Sequence, residues 1–339
     1  MQPSDDRSAV DAAMNVRVPE GLVAWHLKLY GQATRPWIDA APGVVSELLG
    51  RWGLRVDGSA TNGSVSLIVP VVREGGVRAV LKLPPPIEER FRGEPIALRA
   101  WDGNGAVRLL EHDPETGSML LERLDATSSL ATIPDDMEAF QILSELMAQL
   151  TAIPAPPGLP LLSDMVTAPE SQIGFEFGAG ILDRVQSALR RSLPDLERSL
   201  LVQCSAALRE VLHEPGDRLL HGDLGPGGDV LASAPDDPRG PWLAIDPHPI
   251  AGDPCFDLLP ALHGRWDDAV ATGDVRRAVQ RRFDLMTEVV GLDRKRATAW
   301  TVARVLQSML WDIEHDATAW FTEHEADKTI ALTLLAGRT

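Results

Sequence analysis

Leu219-Leu220-His221-Gly222-Asp223-Leu224, followed about twenty residues later by Leu243-Ala244-Ile245-Asp246, is the stretch on which the reading of this chain turns. An apolar strand end that delivers a His-Gly-Asp turn, then a second apolar run ending in Asp, brings two carboxylates to the lip of one cleft. Phosphoryl transfer uses such a pair. One carboxylate, Asp223, takes or orients the proton of an attacking hydroxyl, and the other, Asp246, holds the Mg²⁺ that bridges the phosphates of ATP. Either residue alone reads as a turn or cap Asp; their order, with the features upstream, favours the pair.

Composition bounds the rest. A chain of 339 residues exceeds one hydrophobic core, so two lobes are expected. With 44% hydrophobic and 24% charged residues it has ordinary globular composition. The 32 basic against 49 acidic residues give −17, a field that repels nucleic acid and anionic membranes and suits a cationic small substrate, although solubility alone would also explain it. Cys204 and Cys255 lie in apolar segments without metal-ligand spacing and read as free thiols in a reducing compartment. No secretory h-region and no bilayer-length apolar run is visible, so a cytoplasmic protein, without membrane or nucleic-acid partners, is expected, with a monomer as the favoured state.

Upstream, Gly21 to Leu54 shows helical apolar spacing interrupted by Pro and Gly. Val65–Val72 and Arg78–Leu83, joined by Arg73-Glu74-Gly75-Gly76-Val77, read as a hairpin. A helix follows over Glu88–Asp102, then strands at Val107–Leu110 and Ser118–Glu122. Past Asp125 helical patterns dominate: 135–152, 180–192, 196–213, 275–290 and 293–315. The expected architecture is α+β and bilobal: a nucleotide-binding lobe over 1–123 with a small sheet and one main helix, a crossover near 122–128, and a mainly helical catalytic and substrate-binding lobe over 124–339, with the active site where they meet.

Lys82 is charged within the strand Ala79–Leu83, which suits a grip on the α- and β-phosphates, and Glu94, twelve residues later on the helix, is placed to pair with it. Apart from those signals, one is an edge Lys and the other a solvated helix residue. Ser59–Ser64 is a candidate nucleotide-covering loop without a glycine fingerprint. Glu122-Arg123-Leu124, by position, offers backbone groups of Glu122 and Leu124 to an adenine ring. Gly222 permits the tight turn and His221 braces it, while Asp253 and Asp257 read as loop anchors and caps. The acidic runs Trp311–Asp316 and Glu323–Asp327 read as solvated faces rather than as clamps for guanidino or amino groups.

The segments Glu94–Trp101, Gly105–Leu110, Leu120–Leu124, the His221-Gly222-Asp223 loop and Ala244-Ile245-Asp246-Pro247-x-Pro249-x-x-Gly252-Asp253-Pro254-x-x-Asp257 together resemble the aminoglycoside phosphotransferases, in their streptomycin 6-phosphotransferase and hydroxyurea phosphotransferase branch. The likeness spans roughly residues 20–320. It implies a protein-kinase-like fold, ATP as donor, Mg²⁺ as cofactor, and phosphorylation of an aminoglycoside hydroxyl as the usual role. It departs at one point. The family carries a metal-binding Asn five residues after the catalytic Asp, where this chain has Gly228, and Asp229 stands one step further, as if a residue had been inserted. Asp229 is then the second expected metal ligand if Gly225–Gly228 absorbs the insertion. The alternatives are an impaired kinase-like nucleotide- or antibiotic-binding protein, and a kinase of hydroxyurea or of a sugar-like metabolite.

Overall fold

A computed structural model describes residues 16–86, 92–167, 180–315 and 323–337. The expected helix start at Glu88 and the acidic residue Asp316 lie outside them, and the side chains of Glu323 and His324 are likewise outside. The chain separates into two compact units after Leu124, with residues 104–106 grouped in the second. The fold is mixed α+β, with its main antiparallel sheet in the first unit and helices predominating in the second.

The first unit begins with helices α1 (Glu20–Tyr30) and α2 (Arg35–Arg51), joined by a 3-10 turn. Pro42 and Gly43 do not break α2 as their positions suggest. Ala41, Val45, Leu48 and Leu49 bury one stripe of it against the sheet, and that burial outweighs the roughly 3 kcal/mol an interior proline costs. Leu54, read as the end of the helical region, opens a strand instead. Strands β1 (Leu54–Val56), β2 (Thr61–Asn62), β3 (Leu67–Arg73) and β4 (Arg78–Leu83) lead to helix α3 (Glu94–Trp101), and β5 (Leu109–His112) and β6 (Met119–Glu122) complete the sheet. Its order is β1-β3-β4-β6-β5, with β2 on the edge of β3 beside β1. Period-2 alternation sends Leu67, Val69, Val71, Ala79, Leu81 and Leu83 to the face covered by α1 and α2. The expected strand from Val107 starts later, at Leu109, with a register shift before Glu111.

The second unit opens on a strand the sequence did not announce, β7 (Asp125–Ser129). Helix α4 (Asp136–Leu150) follows, capped by the Asp135 side chain, then α5 (Leu162–Thr167), α6 (Ile181–Leu189) and α7 (Asp195–Val211). Next come β8 (Arg218–Leu220), β9 (Val230–Ala232), β10 (Trp242–Ala244) and β11 (Ile250–Gly252), then α8 (Leu258–His263), α9 (Trp266–Ala271), α10 (Val275–Val290), α11 (Arg294–His315) and α12 (Glu323–Ala336). Helix α11 buries Ala299, Trp300, Val302, Ala303, Leu306 and Leu310 on several faces, the signature of a central helix. Among the described residues no helix is long and apolar enough to cross a membrane.

One device of this unit fixes the turn after β8. The N–H groups of His221 and Gly222 donate to the buried Asp257 carboxylate at 2.9 and 3.1 Å. Arg304 of α11 donates to the Gly222 carbonyl at 2.7 Å and to the Phe256 carbonyl at 3.0 Å, with its guanidinium 4.3 Å from the Phe256 ring centroid and 3.9 Å from Asp257. Burial pushes the Asp257 carboxyl up to about 6 against the pull of Arg304, and burial drives the His221 imidazole down to about 4 against the pull of Asp223.

These shifts oppose each other. The raised carboxyl contributes stability present below its unfolded pKa and lost as pH rises through about 6, whereas the lowered imidazole contributes stability present above its unfolded pKa and lost as pH falls through about 4. Between these values each form of the chain binds one of the two protons, so the contributions cancel. His221→Asn removes one side of the balance. Its stability deficit against the wild type, measured by urea unfolding, is expected to widen by about 3 kcal/mol from pH 4 to 6.5. A deficit that stays constant over that range would show that His221 does not titrate with folding.

Candidate active site

Strand β8 buries Leu219 and Leu220, pairs antiparallel with β11 and ends just before His221. Its register is extended by the His248 N–H, which donates to the His221 carbonyl at 2.8 Å, while the His221 Nε2 donates to the Ile245 carbonyl at 3.1 Å. Gly222 then turns at φ +83°, and a Cβ there would stand 2.0 Å from the His248 carbonyl oxygen. Only glycine satisfies both conditions. The turn delivers Asp223 with its side chain 53% exposed and its Oδ2 at 3.4 Å from His248 Nδ1. His248, between Pro247 and Pro249, is a neighbour of Asp223 that sequence reading missed. No spacing rule signals it, because its place depends on the pairing of β8 with β11.

The second and third carboxylates come from the β9–β10 hairpin. Val230 lies opposite Ala244, and the Ile245 N–H donates to the Asp229 carbonyl at 2.8 Å, so Asp229 and Asp246 leave the same end of the ladder. Asp246 adopts a left-handed φ of +58°, which Asp tolerates better than most residues. The Asp229 carboxylate accepts from the Gly225 N–H at 3.2 Å, closing the glycine-rich loop on itself. Burial first, then the charges of Asp223 and Asp246, raise its carboxyl to about 8, so all three acids share one electrostatic environment. Gly227 and Gly228 have open space around them, and the residue at the family's Asn position is exposed while the next one turns inward. The loop is seated on α8, since a Cβ on Gly264 would meet the Pro226 ring at 2.1 Å.

Among the described residues no group of three or more His, Cys, Asp or Glu is arranged to hold a metal by itself. Asp229 and Asp246 nevertheless supply hard oxygen donors in a place where negative charge is crowded. That matches Mg²⁺, which takes one or two carboxylates and completes its shell with water and phosphate oxygens.

In the first unit Lys82 and Glu94 are both buried, and the ammonium donates to the two carboxylate oxygens at 2.7 and 2.6 Å. Glu94 stands in the first turn of α3, where the helix dipole favours a carboxylate. Directly opposed residues Thr61, Ile68, Lys82 and Met119 form one row across β2, β3, β4 and β6. Glu122 accepts from the Arg108 N–H at 2.6 Å and gives its own N–H to the Arg108 carbonyl at 3.0 Å, so that donor already has a partner. Leu124 ends the unit.

Asp253 caps the 3-10 turn Pro254–Asp257 through the Cys255 N–H and pairs with Arg296, and Asp257 anchors the turn before Asp223; both act as anchors. The acids near the end of α11 are also committed within the chain. Glu314 forms a bidentate pair with Arg184 at 2.8 and 2.7 Å, and Asp312 lies 4.0 Å from Lys328.

Three comparisons bear on this arrangement. A family model described as aminoglycoside/hydroxyurea antibiotic resistance kinase matches residues 51–316. The chain is 48% identical over 304 residues to a streptomycin 6-kinase of Streptomyces glaucescens, covering 90% of this chain and 93% of that one. It is 48% identical over 306 residues to a hydroxyurea phosphotransferase of Kitasatospora aureofaciens, covering 90% and 82%. A solved choline/ethanolamine kinase family protein of Mesorhizobium loti, at 15% identity and TM-score 0.51 over 83% of this chain and 88% of that one, shares the fold. With the family model matched over most of its length and relatives this similar along nine-tenths of it, the chain belongs to the aminoglycoside/hydroxyurea antibiotic resistance kinases.

Proposed function

We propose that this enzyme transfers the γ-phosphoryl group of ATP to a hydroxyl of a small cationic molecule, with streptomycin as the acceptor. The observation that carries this reading is the solvent-reaching Asp223 carboxylate, delivered by a turn that Asp257 and Arg304 hold on both sides of Gly222. The acceptor oxygen attacks the γ-phosphorus, the bond from that phosphorus to the β,γ-bridging oxygen breaks, and ADP departs. Asp223 accepts the hydroxyl proton as the oxygen attacks. Lys82, fixed by both oxygens of Glu94, holds the phosphates of the donor. Asp246 and Asp229 would hold Mg²⁺, which when bound offsets the charge of the triphosphate.

The net charge of −17 favours a cationic acceptor over uncharged hydroxyurea. Equal identity to relatives named for each of these two acceptors makes the direct comparison necessary. Phosphate transfer to streptomycin and to hydroxyurea, followed by ADP release and mass spectrometry of the product, tests the reading. Turnover of streptomycin alone supports it, and turnover of hydroxyurea alone replaces it. Nucleotide binding with no transfer to either favours the impaired-kinase alternative raised by the altered loop.

Asp223→Asn is expected to lower kcat by roughly 10²–10⁴-fold while the affinity for a non-hydrolysable ATP analogue stays within twofold. Undiminished turnover would exclude Asp223 as the base. Asp246→Asn is expected to abolish the Mg²⁺ dependence of analogue binding in calorimetry, and a titration unchanged by both the substitution and EDTA would exclude the metal role.

The inserted residue makes a separate prediction. A carboxylate at 229 adds negative charge beside the triphosphate, so deleting Gly228 and changing Asp229→Asn together should lower the Mg²⁺ concentration for half-maximal rate. If neither this variant nor Asp229→Ala alters metal dependence or rate, Asp229 is no ligand.

A further inference from the structure

We infer that His26, on α1 and therefore outside the matched family region, is a positioning residue for the donor nucleotide, acting through the β2–β3 hairpin. The inference rests on the phosphate-binding role of Lys82 proposed above. His26 is fully buried, and its two ring nitrogens reach different parts of the first unit. One is 2.8 Å from the Thr34 hydroxyl, and the other is 2.7 Å from the carbonyl of Val65, 39 residues away. A carbonyl only accepts, so Nε2 carries a proton and donates to Val65, while Nδ1 faces the Thr34 hydroxyl. The Val65 carbonyl thereby sets which nitrogen donates, and the hydroxyl of Thr34, itself buried in the turn between α1 and α2, meets the other. The ring is stacked on Trp37 at 4.6 Å and 10° and meets Tyr30 edge-on at 5.3 Å, so it cannot swing away from Val65 without unpacking both helices.

Val65 lies in the connection between β2 and β3, where the Gly63 N–H donates to the Ser66 carbonyl at 3.1 Å. Val65 and Ser66 are buried and β3 is paired on both sides, but the outer strand of this hairpin has little to hold it. Strand β2 has two exposed residues, pairs only with Leu67 and Ile68, and lies on a sheet edge. Yet the register puts Thr61, Ile68 and Lys82 in one row. Opposed residues project to the same face, and two strand spacings separate Thr61 from Lys82 by roughly 10 Å. A phosphate chain that meets Lys82 therefore has this hairpin as its neighbour. The bond from His26 ties the connection to this outer strand to helices that are packed on the opposite, apolar face of the sheet through Leu22, Val45 and Leu48. Holding the hairpin in place before binding reduces the ordering cost that nucleotide binding would otherwise carry.

The role separates from simple stability by which parameter moves. His26→Phe keeps the stacked ring and removes both hydrogen bonds, whereas His26→Gln keeps an N–H that reaches the Val65 carbonyl. We expect His26→Phe to raise KM for ATP, and the dissociation constant of the Mg²⁺–ATP analogue, at least fivefold, with acceptor KM and kcat within twofold of wild type. His26→Gln should restore the nucleotide values to within twofold. Should His26→Phe fail to accumulate as folded protein, Thr34→Val decides, with an expected two- to fivefold rise in the same two constants. Unchanged nucleotide constants in the folded variant, or equal losses in His26→Phe and His26→Gln, would overturn the role of His26. A wild-type protein that binds no nucleotide would overturn the reading of Lys82 on which it rests.

Discussion

The peptide groups on either side of Gly222 are held by opposite charges, its N–H by Asp257 and its carbonyl by Arg304, and the direction of Asp223 follows from that clamp. The turn has no freedom to compensate for its loss, since its φ excludes a side chain and the His248 carbonyl fills the space where one would go. Both charged partners are buried. Such a pair is tolerable only when its remaining donors and acceptors are satisfied, and here the guanidinium also reaches the Phe256 carbonyl and ring. Eight residues earlier on the same helix, Arg296 pairs with Asp253 and with Glu214, so two turns of α11 brace both ends of the Asp253–Asp257 segment.

Charge is concentrated with different consequences in the two units. In the first, the buried Lys82–Glu94 pair is mutually neutral and doubly hydrogen-bonded, which fixes one ammonium at a defined place on a sheet face. In the second, burial and then the charges of Asp223 and Asp246 make Asp229 hold its proton more tightly. Crowded carboxylates of this kind are relieved by a divalent cation, and the loop that carries Asp229 holds it through the Gly225 N–H within electrostatic reach of the other two acids.

The glycine-rich run at 225–228 sets how Asp229 is presented. Space is open around Gly227 and Gly228, and the contact of Asp229 with the Gly225 N–H closes the loop. The contact between Pro226 and Gly264 sets where the loop rests. The hairpin ladder on which Asp246 depends begins directly after this loop, with Val230 opposite Ala244.

The sequence by itself determined what local periodicity and motif order encode: the Val65–Leu83 hairpin, the helical character past Asp125, Lys82 with Glu94 twelve residues on, and Asp223 and Asp246 at the ends of apolar runs. These were legible because strand alternation and turn chemistry act over a few residues. Only the tertiary structure decided that α2 runs through Pro42, that Glu94 is buried rather than solvated, and that Glu314 is already paired with Arg184. It also supplied His26, His248 and Arg304, none of which carries a sequence signal. Their partners Val65, Asp223 and Gly222 lie 39, 25 and 82 residues away, and contacts over such separations exist only once helices and sheets have packed.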